Sequence, residues 1–261
     1  MKIAVCFFGI TRNLKQNTLA SIEQNLLAPV SRMDPNYKRF GHFNFSSCIT
    51  NPRTGEDNVR VDPCESVLLN CDVISHTDQY LLDLHLKSEF LHLQQFGDSW
   101  NDNFGSLMNL LRQFHSLNQV TDHLDQFGQT FDVVIFSRAD LRFEHPVEIP
   151  VVRTGTIYTP WFGKYRGLND RFAIGDFKTM QEYGRRGGLA KQYCAETGQS
   201  LHSERFLLWC MRQRNVRNVD LTTSNFCIVR ANGSFRPVDT SLSTKCNYRF
   251  KQLLRRLKLH P

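Results

Sequence analysis

Short unbroken apolar runs alternate along this chain with longer stretches in which apolar residues return every three or four positions. Lys2–Phe8 and Val133–Ser137 are of the first kind. A run of that length reads as a strand buried on both faces. The segments 42–49, 71–75, 156–159, 216–219 and 225–229 are predicted as further strands. The helical rhythm appears first over 13–27, where Leu14, Thr18, Ile22 and Leu26 share a face, and Pro29 is expected to stop that helix. It returns over 79–96 and over 103–127, where Phe104, Leu107, Leu111, Phe114, Leu117, Val120 and Leu124 form one buried stripe. Asp62–Pro63 opens a short helix to Leu69, Asp176 caps a helix over 177–185, another runs to about Glu196, and Ser203 caps one spanning 206–211. The polar, turn-rich stretch 51–58 reads as an exposed loop, and Asn232–Gly233 as a tight turn. Strands alternating with helices imply an α/β fold built on a mostly parallel sheet flanked by helices. No linker divides the chain before residue 246, so 1–246 is expected to be one domain, with 247–261 as an appended helix.

Composition narrows this picture. The chain has 261 residues, 41% of them hydrophobic and 20 of them Phe, enough for a sizeable core. Its formal charge of +7 is uneven: residues 248–260 hold five Lys or Arg and no acid, and the rest is close to neutral. Bulk charge therefore does not point to nucleic acid, and basic and aromatic residues do not interleave along a face. Eight cysteines show no CxxC spacing, and several sit in apolar runs, where a reduced thiol is the default. No apolar run approaches the roughly 20 residues of a membrane span, and the N-terminus is too short in apolar residues for a signal peptide. The expectation is a soluble cytoplasmic protein. His76, His85 and His92 lack the spacing of a metal site and read as packing or surface residues.

Candidate chemistry gathers at the ends of the apolar runs. Phe131–Phe143 delivers Arg138-Ala139-Asp140 at the carboxyl end of a buried strand, where ligands collect in α/β proteins. Asp140 can hold a divalent cation through hard oxygen ligands, and Arg138 can face phosphate; a structural salt bridge is the plainer alternative. Gly9-Ile10-Thr11-Arg12 links the first strand to a helix, as in mononucleotide-binding openings, without being a G-x-G-x-x-G or Walker sequence. Trp161 stands in an aromatic loop of the kind that stacks on sugar rings, or caps a core.

Phe8-Gly9-x-x-Arg12, the 131–140 strand, Asn169-Asp170-Arg-Phe-Ala-Ile-Gly175 and Ser203-Glu204, in that order, resemble a group of poorly characterised bacterial and viral proteins that look like nucleotide-sugar glycosyltransferases of the GT-A type. The resemblance runs from the first strand to about Val229. It implies a Rossmann-like domain, a nucleotide-sugar donor, a glycan or lipid-linked acceptor, and a divalent cation, Mn or Mg. Gly9, Arg12, Arg138, Asp140 and Asn169 would then contact the donor, with Asp140 as metal ligand. Arg138 stands where such enzymes usually carry the first acid of Asp-x-Asp, so Arg138 can also replace the metal as counter-charge to phosphate. Asp170 and Glu204 are the candidate catalytic carboxylates, since an inverting transfer needs a group to take the acceptor proton; a turn residue and a first-turn helix acid are the plainer alternatives. Two other readings stay open: a non-catalytic nucleotide- or sugar-binding protein of the same fold, and a nucleotidyltransferase.

The last segment repeats Phe250, Leu253, Leu254 and Leu257 at helical spacing among five cations. A basic amphipathic helix over 248–258 can lie on an anionic membrane surface, or pack its leucines on the domain.

Overall fold

The computed structural model describes residues 1–235. The basic segment 247–261 lies outside the described residues. The first apolar run forms β1 (Ile3–Gly9). The next segment is helical in pieces: α1 (Leu14–Asn17), α2 (Leu19–Ile22), a π turn over Glu23–Leu27, and α3 (Ala28–Met33). Pro29 therefore does not stop the helix. The wide turn before it restarts the hydrogen-bond ladder, so Pro29 falls in the first turn of α3, where no N–H is needed.

Then come β2 (Lys38–Phe45), β3 (Cys48–Asn51), β4 (Glu56–Arg60), a 3₁₀ turn over Pro63–Leu69 capped by Asp62, and β5 (Val73–Asp78). The stretch expected as an exposed loop is thus the turn and second strand of a β3–β4 hairpin. Two long helices follow, α4 (Gln79–Gln94), with Asp78 accepting from the Leu81 N–H at 2.9 Å, and α5 (Gly105–Gln126). The remainder comprises β6 (Val133–Arg138), β7 (Leu141–Phe143), β8 (Thr156–Pro160), β9 (Phe172–Gly175), α6 (Phe177–Gly184), α7 (Ala190–Thr197), α8 (Ser203–Gln213), β10 (Arg217–Leu221) and β11 (Phe226–Ile228).

Seven strands form the central sheet, in the order β10-β8-β9-β6-β1-β2-β5. Only β9 runs against its neighbours; the other pairings are parallel. β7 and β11 form a separate antiparallel pair. Helix α5 packs its predicted stripe on one face of the sheet, with Leu117, Val120 and Leu124 fully buried beside Phe8, Phe40 and Phe136. On the other face Leu14, Ile22 and Leu26 meet Val5, Phe7 and Ile135.

The strand order reverses about β1: β2 and β5 extend to one side, β6 and beyond to the other. Such a switch point opens a crevice at the strands' carboxyl ends, because the connections leave to opposite faces. Gly9 ends β1 there and Arg138 ends β6.

Candidate active site at the strand ends

A cleft of about 1040 Å³ opens at this switch point. Gly9, Arg12, Arg138, Asn169, Asp170 and Glu204, all expected from sequence, line it together. Gly9 has φ +105°, a backbone conformation that L side chains rarely adopt, although a Cβ there would meet nothing. Its N–H donates to Ser116 Oγ at 2.8 Å, tying the end of β1 to α5.

Asp140 is not among the lining residues. It is 2% exposed and sits behind the arginines. Arg138 donates from Nε to Oδ1 at 2.9 Å and from a terminal nitrogen to Oδ2, and Arg12 Nε stands 3.4 Å from Oδ2. Burial pushes the Asp140 carboxyl up, but Arg138 and then Arg12 outweigh it, and the group is held below the usual carboxylate range. The chemistry of this donor set does not fit a divalent cation, since both oxygens already serve guanidinium groups and the space before them is cationic. Among the described residues no three His, Cys, Asp or Glu side chains gather into a metal-holding group.

Two residues of this cluster were missed from sequence. Glu56, the first residue of β4, is fully buried and accepts from Arg12 Nη1 at 3.1 and 2.9 Å. Glu56 also accepts from the Ala231 N–H at 2.7 Å, which fixes the turn that carries Arg230. Arg230 lines the cleft. Burial first, and repulsion by Arg12 and Arg138 next, push its pKa down to about 10.

The second cluster is acidic and lies on the 162–171 loop and α8. Asp170 is 3% exposed. Its Oδ2 accepts from Gln113 Nε2 at 3.0 Å; its Oδ1 has no hydrogen-bond partner and faces Arg171 Nη1 at 3.7 Å. Glu204 is differently placed. Oε1 accepts from Arg171 Nη2 at 2.9 Å, and Oε2 accepts from Ser203 Oγ at 2.5 Å and lies 3.2 Å from His202 Nδ1. Burial works against ionisation of Glu204, but His202, Arg171 and Ser203 win, and its pKa is strongly lowered. A carboxylate so held is a poor proton acceptor; it orients Arg171 instead. Gly167 allows this contact, since a Cβ there would come 1.8 Å from the Glu204 carbonyl oxygen.

Asn169 is fully buried, with its amide nitrogen on the Phe162 carbonyl at 3.0 Å and its oxygen on the Arg171 N–H at 3.0 Å. It braces the loop that presents Asp170. The expectation that Trp161 stacks on a sugar is corrected: Trp161 is 4% exposed and packs in the core beside Phe162. Of that loop's aromatic residues, Phe162 and Tyr165 line the cleft, and Tyr165, 63% exposed, is the one open to solvent. The aromatic pattern located the loop, but an unbroken Trp-Phe pair at a strand end is apolar enough to be drawn into the core.

This is an α/β protein with a polar cleft at the switch point of its sheet, walled by arginines at one group of elements and by carboxylates at another. The chain belongs to the family described as a domain of unknown function, DUF7796, whose model matches residues 106–245, more than half of its length. No curated protein matches it. Among solved structures, mouse xyloside xylosyltransferase 1 in its apo form is similar, with 11% identity over 85% of each chain and a TM-score of 0.40. No helix among the described residues is long and apolar enough to cross a membrane.

Proposed function

We propose that the chain is a glycosyltransferase that moves a sugar from a nucleotide-sugar donor to a hydroxyl of a glycan or lipid-linked acceptor. The observation that carries this reading is the presence, in one cleft, of two unlike functions. Arg12 and Arg138 can receive the negative charge of a leaving diphosphate, and Asp170 keeps one carboxylate oxygen without a hydrogen-bond partner. Glycosyl transfer needs both: charge stabilisation on the leaving group and a base for the acceptor proton.

In this reading the acceptor oxygen attacks the anomeric carbon, and the bond from that carbon to the diphosphate oxygen breaks. The electron pair leaves with the diphosphate, and the acceptor proton passes to Asp170. This single displacement inverts the anomeric centre. Gln113 and Arg171 hold the carboxylate in place, and Glu204 holds Arg171. The sheet order supports the choice of cleft, since a donor nucleotide would lie across the β1–β6 switch point. A divalent cation has no step here, because the Asp140 donor set does not fit one.

Asp170→Asn tests the assignment. Loss of a general base lowers turnover by about 10²- to 10⁴-fold, while donor affinity stays within a few-fold of wild type. Equal turnover by Asp170→Asn and wild type would refute the role of Asp170. Binding of a donor with no transfer and no hydrolysis by wild type would favour a non-catalytic binding protein.

A further inference from the structure

We infer that this chain grips the diphosphate of its ligand with a three-arginine clamp, Arg12, Arg138 and Arg230, that needs no divalent cation. The inference rests on the nucleotide-sugar reading for the ligand's name, but its geometry stands on its own. Arg12 and Arg138 come from the ends of β1 and β6, one on each side of the switch point. Arg230 comes from the turn after β11.

Three features point to an anion. The cluster holds three guanidinium groups and two carboxylates, Glu56 and Asp140. Both carboxylates are buried, while the three arginines line the cleft. Among the described residues Arg230 forms no ion pair within 4 Å; it is part-buried, and the longer-range pull of Asp140 and Glu56 is opposed by the repulsion of Arg12 and Arg138. A partly buried cation without a carboxylate in direct contact is costly, and a planar guanidinium is suited to bidentate contact with phosphate oxygens.

The cluster is also held rigidly from behind. Glu56 binds both Arg12 and the N–H of Ala231, next to Arg230. Asn13 Nδ2 donates to the Ala231 carbonyl at 2.5 Å, and Arg142 lies 3.7 Å over the Phe235 ring at the other end of the turn. The turn is therefore tied to the β1 loop and the β4 hairpin, and Arg230 is presented at the cleft with no carboxylate in salt-bridge contact among the described residues. Asp140, which would be the natural metal ligand at this position, serves instead to hold Arg12 and Arg138 side by side.

The test is calorimetric titration of the full chain with inorganic pyrophosphate and with UDP and GDP, each in EDTA and again with Mg²⁺ or Mn²⁺. Affinity for at least one nucleoside diphosphate is expected to be the same in EDTA as with cation, within about threefold. Arg230→Gln is expected to weaken it by about 10- to 100-fold, as for loss of a charge-assisted hydrogen bond, and Arg230→Lys by less. Melting of the unliganded variant supplies a second readout. If Arg230 is held for a ligand, Arg230→Gln melts at or above the wild-type temperature, because it removes the cost of burying a charge that has no carboxylate in direct contact. A drop of several degrees would show a structural role and overturn the clamp. Binding that appears only with cation would also overturn it, and would leave the glycosyltransferase reading standing. Cation-free binding of pyrophosphate without binding of either nucleoside diphosphate would support the clamp and count against that reading.

Discussion

Asp140→Asn separates two accounts of the strand-end acid. If Asp140 were an open metal ligand, neutralising it would cost the unliganded fold little. In this structure it is 2% exposed and bridges Arg138 and Arg12 through both oxygens. The asparagine has nearly the same shape and keeps one acceptor oxygen, so the change removes mainly charge. It leaves Arg12, Arg138 and Arg230 close together, with Glu56 as the remaining carboxylate of the cluster. Breaking one partner from a buried ion pair costs about 3–5 kcal/mol. For a chain of this size about 1 kcal/mol moves the midpoint by 2–4 °C, so the melting temperature is expected to fall by about 6–20 °C. Differential scanning calorimetry without ligand or cation measures it. A fall of less than about 2 °C would show that Asp140 does not hold the arginines, and the structural basis of the clamp would be lost.

Other expectations follow from the same geometry. His42 is fully buried between Ser116 and Thr77, and burial, with His115, His123 and His76 nearby, lowers its pKa to about 3. The unfolded chain takes that proton near pH 6.5, so the contribution is whole above pH 6.5 and lost as pH falls toward 3. Between pH 6.5 and 5 it amounts to about 2 kcal/mol, to be read from urea midpoints, and His42→Asn should flatten the slope; an unchanged slope would count against it. Gly167→Ala forces a Cβ against the Glu204 carbonyl and should cost about 1–3 kcal/mol, whereas Gly188→Ala, where a Cβ meets nothing within 4 Å, should be neutral or slightly stabilising by chemical denaturation. Glu204→Gln frees Arg171 and should reduce turnover by less than Asp170→Asn does; an equal or larger loss would move the base from Asp170 to Glu204.

The parts of the fold legible in the sequence are those in which one local pattern decides the element. β1 and β6 are unbroken apolar runs because both their faces are covered, and the α5 stripe is regular because one face meets the sheet. Their carboxyl ends therefore gave Gly9, Arg12 and Arg138 their common place. Glu56 was hidden because nothing local marks it: the stretch around it is polar and turn-rich, and only folding of the β3–β4 hairpin against Arg12 buries it. Arg230 was hidden for the same reason, since Asn232–Gly233 announces a turn without saying which cleft it faces. β7, with three residues, has no period to read; β11 falls within the strand expected over 225–229, but its pairing with β7 is owed to tertiary contact. The pairing of Glu204 with Arg171 and His202 likewise depends on a glycine pressed against a backbone carbonyl, a contact between segments 37 residues apart.

The central claim is that the switch-point cleft receives a nucleotide sugar. Its most direct test is the melting temperature of the full chain against a panel of UDP-, GDP- and TDP-sugars, with and without Mg²⁺ or Mn²⁺. A ligand present at 100 times its Kd adds about 2.7 kcal/mol, so at least one donor is expected to raise the midpoint by about 5–10 °C. No shift with any donor, in either condition, would contradict the account.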